Sequence, residues 1–369
     1  MSREAAGRER VRDVLRLPEP RLHAPSCRID RLVTATVVPF HSSPEPAFVP
    51  ERVPAPAPET CVVDTAEDFE TLRDRAREFV AKGSYREAAT VYQRAVEVAT
   101  AAGETDLADE ALCGWGAAET ELGNGAEAMP ELRRILLGSP VDHNCCLAAY
   151  TLARAHELEG QIKKALFYAR LFRDRAEYVE RSGLRGLAQN LLGNLLVAEG
   201  SEDEAATCYR RALRLSEGAA PTWLAVTEVN LGYCLLAKLT PRPSGLHRAR
   251  LREGLRLAYR SLRTFRREGA APLLVWPHLD LCFAYLQMER PRPAKRHGLK
   301  ALELAERLHG QDVVKNCLYL LGQTAVLEGD LEAARQFFRS LEQRFYPGQT
   351  GLADVLVAID LRQVVNLRA

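Results

Sequence analysis

No run in this chain approaches the roughly eighteen apolar residues of a membrane-crossing helix. Net charge is scarce as well: 50 Lys and Arg stand against 49 Asp and Glu, leaving +1. That balance gives no whole-chain electrostatic reason to expect nucleic acid or an anionic membrane as partner. Lysine is rare, seven among the 50 basic residues, and the abundance of arginine weakens inference from any single one. The nine cysteines are odd in number, and none sit two residues apart as in a zinc knuckle or redox motif. His143, Cys145 and Cys146 form a tight Cys/His cluster, but no second cluster completes the four ligands of a closed metal site. The opening MSREAAGRERVRDVL lacks the apolar core of an export signal, so the expected compartment is the cytoplasm.

Catalytic signatures are missing too. No GxxxxGK[ST] phosphate loop, helix-opening GxGxxG or GxSxG nucleophile elbow occurs. His156-Glu157-Leu158-Glu159-Gly160 begins like a zinc-protease helix, but Gly160 stands where the second histidine must be. The acids Glu202, Asp203 and Glu204 open a helix, where carboxylates suit the positive dipole end. The expectation is a chain that is not an enzyme and carries no cofactor and no metal.

What is present divides near residue 60. Of the 20 prolines, ten lie in the first 58 residues, seven of them between Pro39 and Pro58. Proline removes donors and fixes φ, so PFHSSPEPAFVPERVPAPAP reads as an extended, partly polyproline linker. Ahead of it, Arg3 to Leu17 suits a short charged helix, and Ile29 to Val38 suits a strand given a sheet edge to join. Residues 1–60 are therefore expected to be an extended segment, and 61–369 one helical array.

The array is visible as self-similarity. From Gly193, residues at fixed offsets are Leu196, a turn at Gly200, Ala205, Tyr209 and Ala212. The same offsets from Ala76 pick out Phe79, Gly83, Ala88, Tyr92 and Ala95. From Gly116 they give Gly123, Ala128, Leu132 and Ile135; from Ala153, His156, Gly160, Ala165, Ala169 and Phe172. From Gly322 they give Ala325, Gly329, Ala334, Phe338 and Leu341. Two degenerate copies open at Gly232 and Cys282, the first interrupted by KLTPRPSGLHRARLREG before it resumes at Leu255, Tyr259 and Leu262. Seven units follow. Small residues let two antiparallel helices approach, the bulky one between them fills the groove, and glycine closes the first helix in a left-handed cap.

This pattern resembles the tetratricopeptide repeat over roughly residues 65–347. The family period is about 34; here successive reference residues are mostly 37 to 40 apart. That spacing is similar to the long-repeat arrays of kinesin light chains, bacterial peptide-sensing regulators and maltose-type activators. The resemblance implies an all-α, right-handed solenoid of about seven helical hairpins, with Leu352 to Val365 as a capping helix. It also implies a concave groove lined by each unit's first helix.

Carried onto this sequence, the groove positions are Arg73, Arg77, Tyr150, Arg154, Glu157, Asn190, Asn194, Tyr233, Trp276, Phe283, Asn316, Tyr319 and Gln323. Aromatic, arginine and amide side chains are the types that anchor partners. The carboxylate clamp for chaperone tails does not carry over, because Gly114 occupies one of its asparagine places. Charge is uneven locally. Residues 102–131 hold eight acids and no Lys or Arg, whereas Arg248, Arg252, Arg256, Arg260, Arg263 and Arg267 form a basic stripe on one long amphipathic helix. The reading that results is a non-enzymatic scaffold or adaptor for a peptide or protein. The alternative is a sensor subunit whose superhelix responds to a peptide or effector and controls an associated enzyme or transcription factor. Nucleic-acid contact through the stripe is a minor alternative.

Overall fold

The computed structural model describes residues 68–179, 182–216, 218–237, 245–308 and 311–359. The helix, strand and proline-rich linker expected within residues 1–60 lie outside the described residues, as does the end of the expected capping helix. The described chain is built from helices and turns: α1 (Phe69–Ala81), α2 (Tyr85–Ala101), α3 (Thr105–Leu122), α4 (Gly125–Gly138), α5 (Asp142–Leu158), α6 (Ile162–Ala176), α7 (Ser182–Glu199) and α8 (Glu202–Leu215). There follow α9 (Pro221–Ala237), α10 (Gly245–Arg267), a 3-10 turn (Ala271–Leu274), α11 (Val275–Gln287), α12 (Pro291–Arg307), α13 (Gln311–Glu328), α14 (Leu331–Phe345) and α15 (Leu352–Ala358).

Local chemistry sets these boundaries. Asp68 caps α1 by accepting from the Thr71 amide at 2.8 Å, and Asp330 caps α14 by accepting from Ala333 at 3.0 Å. Pro221 and Pro291 begin α9 and α12, where a missing amide hydrogen costs nothing. The recurrent turn glycines Gly83, Gly123, Gly160, Gly200 and Gly329 all take φ between 73 and 90°, the left-handed conformation glycine adopts without strain. In the unit opened by Cys282 the equivalent place is Glu289, which takes φ 54° with a side chain attached. The stretch read as an insertion is partly helix: α10 begins at Gly245, within it, and runs 23 residues.

Each helix packs on the next, and a second set of contacts gives the array its layers. The first helices touch the first helices of the following pair, in the series α1, α3, α5, α7, α9, α11, α13 and on to α15. The second helices make no contact of comparable extent among the described residues. A stack joined along one layer and splayed along the other must curve toward the joined layer, so the odd-numbered helices form the inner face. Residues Ala225 to Leu236 of α9 are buried without interruption, and α11 is nearly as enclosed. Largely apolar helices enclosed on every side suit only such an interior. Small inward residues carry the core, with Ala88, Ala128, Ala165, Ala205, Ala294 and Ala334 fully buried at the same repeat offset. No helix among the described residues is long and apolar enough to cross a membrane.

Candidate functional site

The inner face holds the positions expected to line a groove, and the structure shows what each meets. Arg73 and Arg77 sit half-buried at the N-terminal end. Arg73 pairs with Glu70, and Arg77 reaches Glu110 of α3 at 3.0 Å. Tyr150 is half-buried, edge-on to Phe172 at 5.7 Å. Arg154 is 3% exposed and bonds Glu157 on its own helix and Glu121 of α3, the latter at 3.2 Å. Asn190 accepts from Thr227 of α9 at 3.3 Å. Asn194 accepts from Tyr209 at 2.7 Å and from Asn230 of α9 at 3.2 Å.

Further along, Tyr233, Trp276 and Phe283 are buried and Asn316 is half-buried. Tyr319 packs at 6.3 Å from Phe338, and Gln323 donates to the Leu356 carbonyl at 3.3 Å. The sequence reading places these groups along a partner-binding groove; most of them are buried and bonded between helices. The reason lies in the spacing. The partners of Arg154, Asn190, Asn194 and Gln323 stand 33 to 37 residues away, about one unit along, so a polar group aimed inward also faces the next inner helix. These residues form a polar ladder that knits the layer together.

The local excess of acid and base has a similar explanation. Asp109 is paired with Arg134 at 2.7 Å, Asp142 with Arg175 at 3.1 Å and Glu177 with Arg211 at 3.2 Å. Within 102–131, Asp109, Glu110 and Glu121 are neutralised by Arg134, Arg77 and Arg154 of neighbouring helices. The basic stripe is not one continuous row. Arg260 forms a two-pronged pair with Glu228 of α9, and Arg267 reaches Glu268 at 2.9 Å. Arg248 and Arg252 are exposed near the start of α10. Arg256 and Arg263 turn into a cleft against α12.

His156 is buried and stacked on Tyr168 at 5.4 Å, with burial pushing its pKa down. Cys145 and Cys146 are buried free thiols, pushed up by burial. Among the described residues no group of three His, Cys, Asp or Glu side chains could hold a metal ion.

Comparison with known proteins follows the same outline. The tetratricopeptide-repeat family model matches residues 188–218, the unit containing Gly193 and Tyr209. A Rap protein complexed with competence and sporulation factor superposes with TM-score 0.56 at 10% identity, over 80% of this chain and 78% of that one. The apo form of RapI superposes with TM-score 0.53 at 13% identity, over 74% and 76%. Residues 188–218 are thus a tetratricopeptide repeat, set in an array that shares the fold of these solved structures. Aspartyl phosphate phosphatase F from Bacillus subtilis gives TM-score 0.50 at 12% identity, over 81% and 86%. At these identities the likeness to solved structures is one of fold. No curated protein matches the sequence.

Within the repeat array, the buried ion trio Arg154–Glu121–Glu157 and the cleft beside α10 bring together residues that the sequence holds far apart. Arg154 and Glu157 were legible as inner-face positions. Glu121 had a signal only in its position, 33 residues before Arg154.

Proposed function

We propose that this chain is a non-enzymatic interaction scaffold that takes a peptide or protein segment along the inner face of its repeats. The observation that carries the reading is the polar ladder. An array that only needed to stand upright would fill its inner layer with apolar side chains, since even paired buried polar groups are often no more stabilising than well-packed apolar ones. This one places Arg154, Glu157, Asn190, Asn194 and Gln323 there. Amides and arginine are the groups that recognise a peptide backbone and its carboxylates.

One observation favours a regulatory version of the same scaffold. The ladder bonds join each inner helix to the next, as in Asn190 with Thr227 and Arg154 with Glu121. A segment that competes for these groups changes the spacing between units, and so the pitch of the array, which an associated protein can read. One of the similar folds, the Rap protein, is complexed with competence and sporulation factor. That binding belongs to the Rap protein; here it supports reading the array as one that takes a ligand.

The test is photo-cross-linking in the native host, with the cross-linking residue at Tyr150 or Asn316 on inner helices, and at Leu137 or Phe167 on exposed outer positions. A common partner recovered from the inner sites and not the outer ones is the expected result. Recovery from the outer sites alone rejects the inner face.

A further inference from the structure

Charged residues of α10 and α12, with His278 of α11 between them, line a cavity that the scaffold reading does not use. It is an open cleft of about 830 Å³, walled by Arg256, Arg263 and Arg266 of α10 on one side and by Arg296 and Lys300 of α12 on the other. That volume falls within the range of small-ligand sites, about 300–1,000 Å³. A single carboxylate lines it, Glu303, already bonded to Lys300 at 2.8 Å. Among the described residues no carboxylate lies within ion-pair distance of Arg256, Arg263, Arg266 or Arg296. Elsewhere the fold pairs its arginines across units, as with Arg77, Arg134, Arg175, Arg211 and Arg344. Gathering four guanidinium groups without carboxylate partners around one cavity gives it a positive potential that favours an anion.

The floor adds shape. His278 of α11 and His297 of α12 are buried and face each other Nδ1 to Nδ1 at 2.9 Å, so one ring donates and the other accepts. Tyr259 stands edge-on to His297 with its hydroxyl 3.4 Å from Nε2, and bonds the hydroxyl of Tyr285, which stacks on His297, at 2.8 Å. Both imidazoles are held neutral by burial and by the surrounding cations, so the positive charge of the site resides in its arginine walls. Guanidinium forks match phosphate oxygens two at a time. With cations on two facing helices, a ligand charged at one point meets one wall, whereas one charged at several points spans both.

We propose that this cleft binds a small anion carrying two or more phosphate groups. Sodium tripolyphosphate and ATP are the probes, titrated calorimetrically into the full chain, with sulfate as the single-centre control. Arg263→Gln with Arg296→Gln removes one exposed cation from each wall. Arg170→Gln with Arg339→Gln removes the same charge from exposed sites on α6 and α14.

Tripolyphosphate should bind one-to-one and at least about tenfold more tightly than sulfate. The cleft variant should lose about tenfold or more, as two charge-assisted bonds disappear, while the control variant stays near wild type. Affinity for ATP equal to that for tripolyphosphate assigns recognition to the phosphates alone. Tighter ATP binding adds a ring contact over Tyr259 and Leu299. Tripolyphosphate binding no tighter than sulfate, or equal loss in both variants, overturns the site. So does a duplex oligonucleotide or polyglutamate that binds the chain and is not displaced by tripolyphosphate. Circular dichroism guards against misfolding, and the imidazole resonances of His278 and His297 should shift on binding in the wild-type chain. Cross-linking from Tyr150 and Asn316 reports on the inner face separately, so either reading can fail without the other.

Discussion

Gly193 and Tyr209 meet so closely that a Cβ at position 193 would stand 2.6 Å from the tyrosine ring. The ring is fully buried and its hydroxyl is tied to Asn194, so it has no free direction in which to move. Gly322 and Phe338 repeat the arrangement, with a built Cβ at 2.3 Å. Helical alanine is ordinarily better than glycine by about 1 kcal/mol, but here the clash decides. Gly193→Ala and Gly322→Ala should each destabilise by about 1–3 kcal/mol, read from urea denaturation. Gly232 occupies the same repeat position with its nearest neighbour at 3.5 Å, an ordinary contact. Gly232→Ala should therefore be neutral or stabilising by up to about 1 kcal/mol. Equal losses at all three positions would refute the packing argument.

Glu289 supplies the opposite case. It adopts the left-handed conformation that five other turns give to glycine, and the turn is closed by the Arg290 amide donating to Tyr285 at 2.9 Å. Removing the side chain relieves a strain of about 1–2 kcal/mol, against some added freedom of the unfolded chain. Glu289→Gly should raise the melting temperature by a few degrees. Gly329→Ala, at the equivalent turn with φ 79°, should lower it.

The contrast explains what the sequence could show. Turn glycines and buried small residues act within one hairpin, so their offsets survive as a repeating pattern even where Glu289 or the α10 extension blurs it. Residues that bridge helices leave no such trace. On α10 the stripe Arg248, Arg252, Arg256, Arg260, Arg263, Arg267 follows helical spacing, yet the side facing α12 runs through Arg256, Tyr259, Arg263 and Arg266. Arg260 and Arg266 are both plausible members of a basic face. Only the packing of α9 and α12 sends the first to Glu228 and the second into the cleft. His278 and His297 are equally silent in sequence, lying on different helices 19 residues apart.

The buried trio yields a prediction about charge. Arg154 lies against Glu157 and Glu121, with side-chain exposures of 3%, 1% and 6%. Removing the cation alone leaves two carboxylates buried together. Arg154→Met should therefore cost about 3–5 kcal/mol, whereas Arg154→Met combined with Glu157→Leu and Glu121→Leu should recover most of that loss. Denaturant midpoints of the single and triple variants measure the difference. A triple variant no more stable than the single one would mean that the trio contributes through geometry and not through compensation of charge.

The histidine pair makes stability depend on pH in a definite direction. His278 is held down to about 4 by burial, then by the charges of His297, Arg266 and Lys300. His297 is held down to about 4 by burial, then by Arg296 and Arg266. In the unfolded chain both titrate near the ordinary value of about 6.5. Between those values the unfolded state binds protons that the folded state refuses, so acid favours unfolding. Neither histidine affects the pH dependence above about pH 7; the loss of stability begins as pH falls through about 6.5 and is complete near 4. Urea midpoints measured at several pH values across that window should decline steadily in the wild-type chain. The variant His278→Asn with His297→Asn should be weaker at neutral pH but show a shallower decline, since asparagine does not titrate. A slope as steep as wild type in that variant would move the acid sensitivity to other groups.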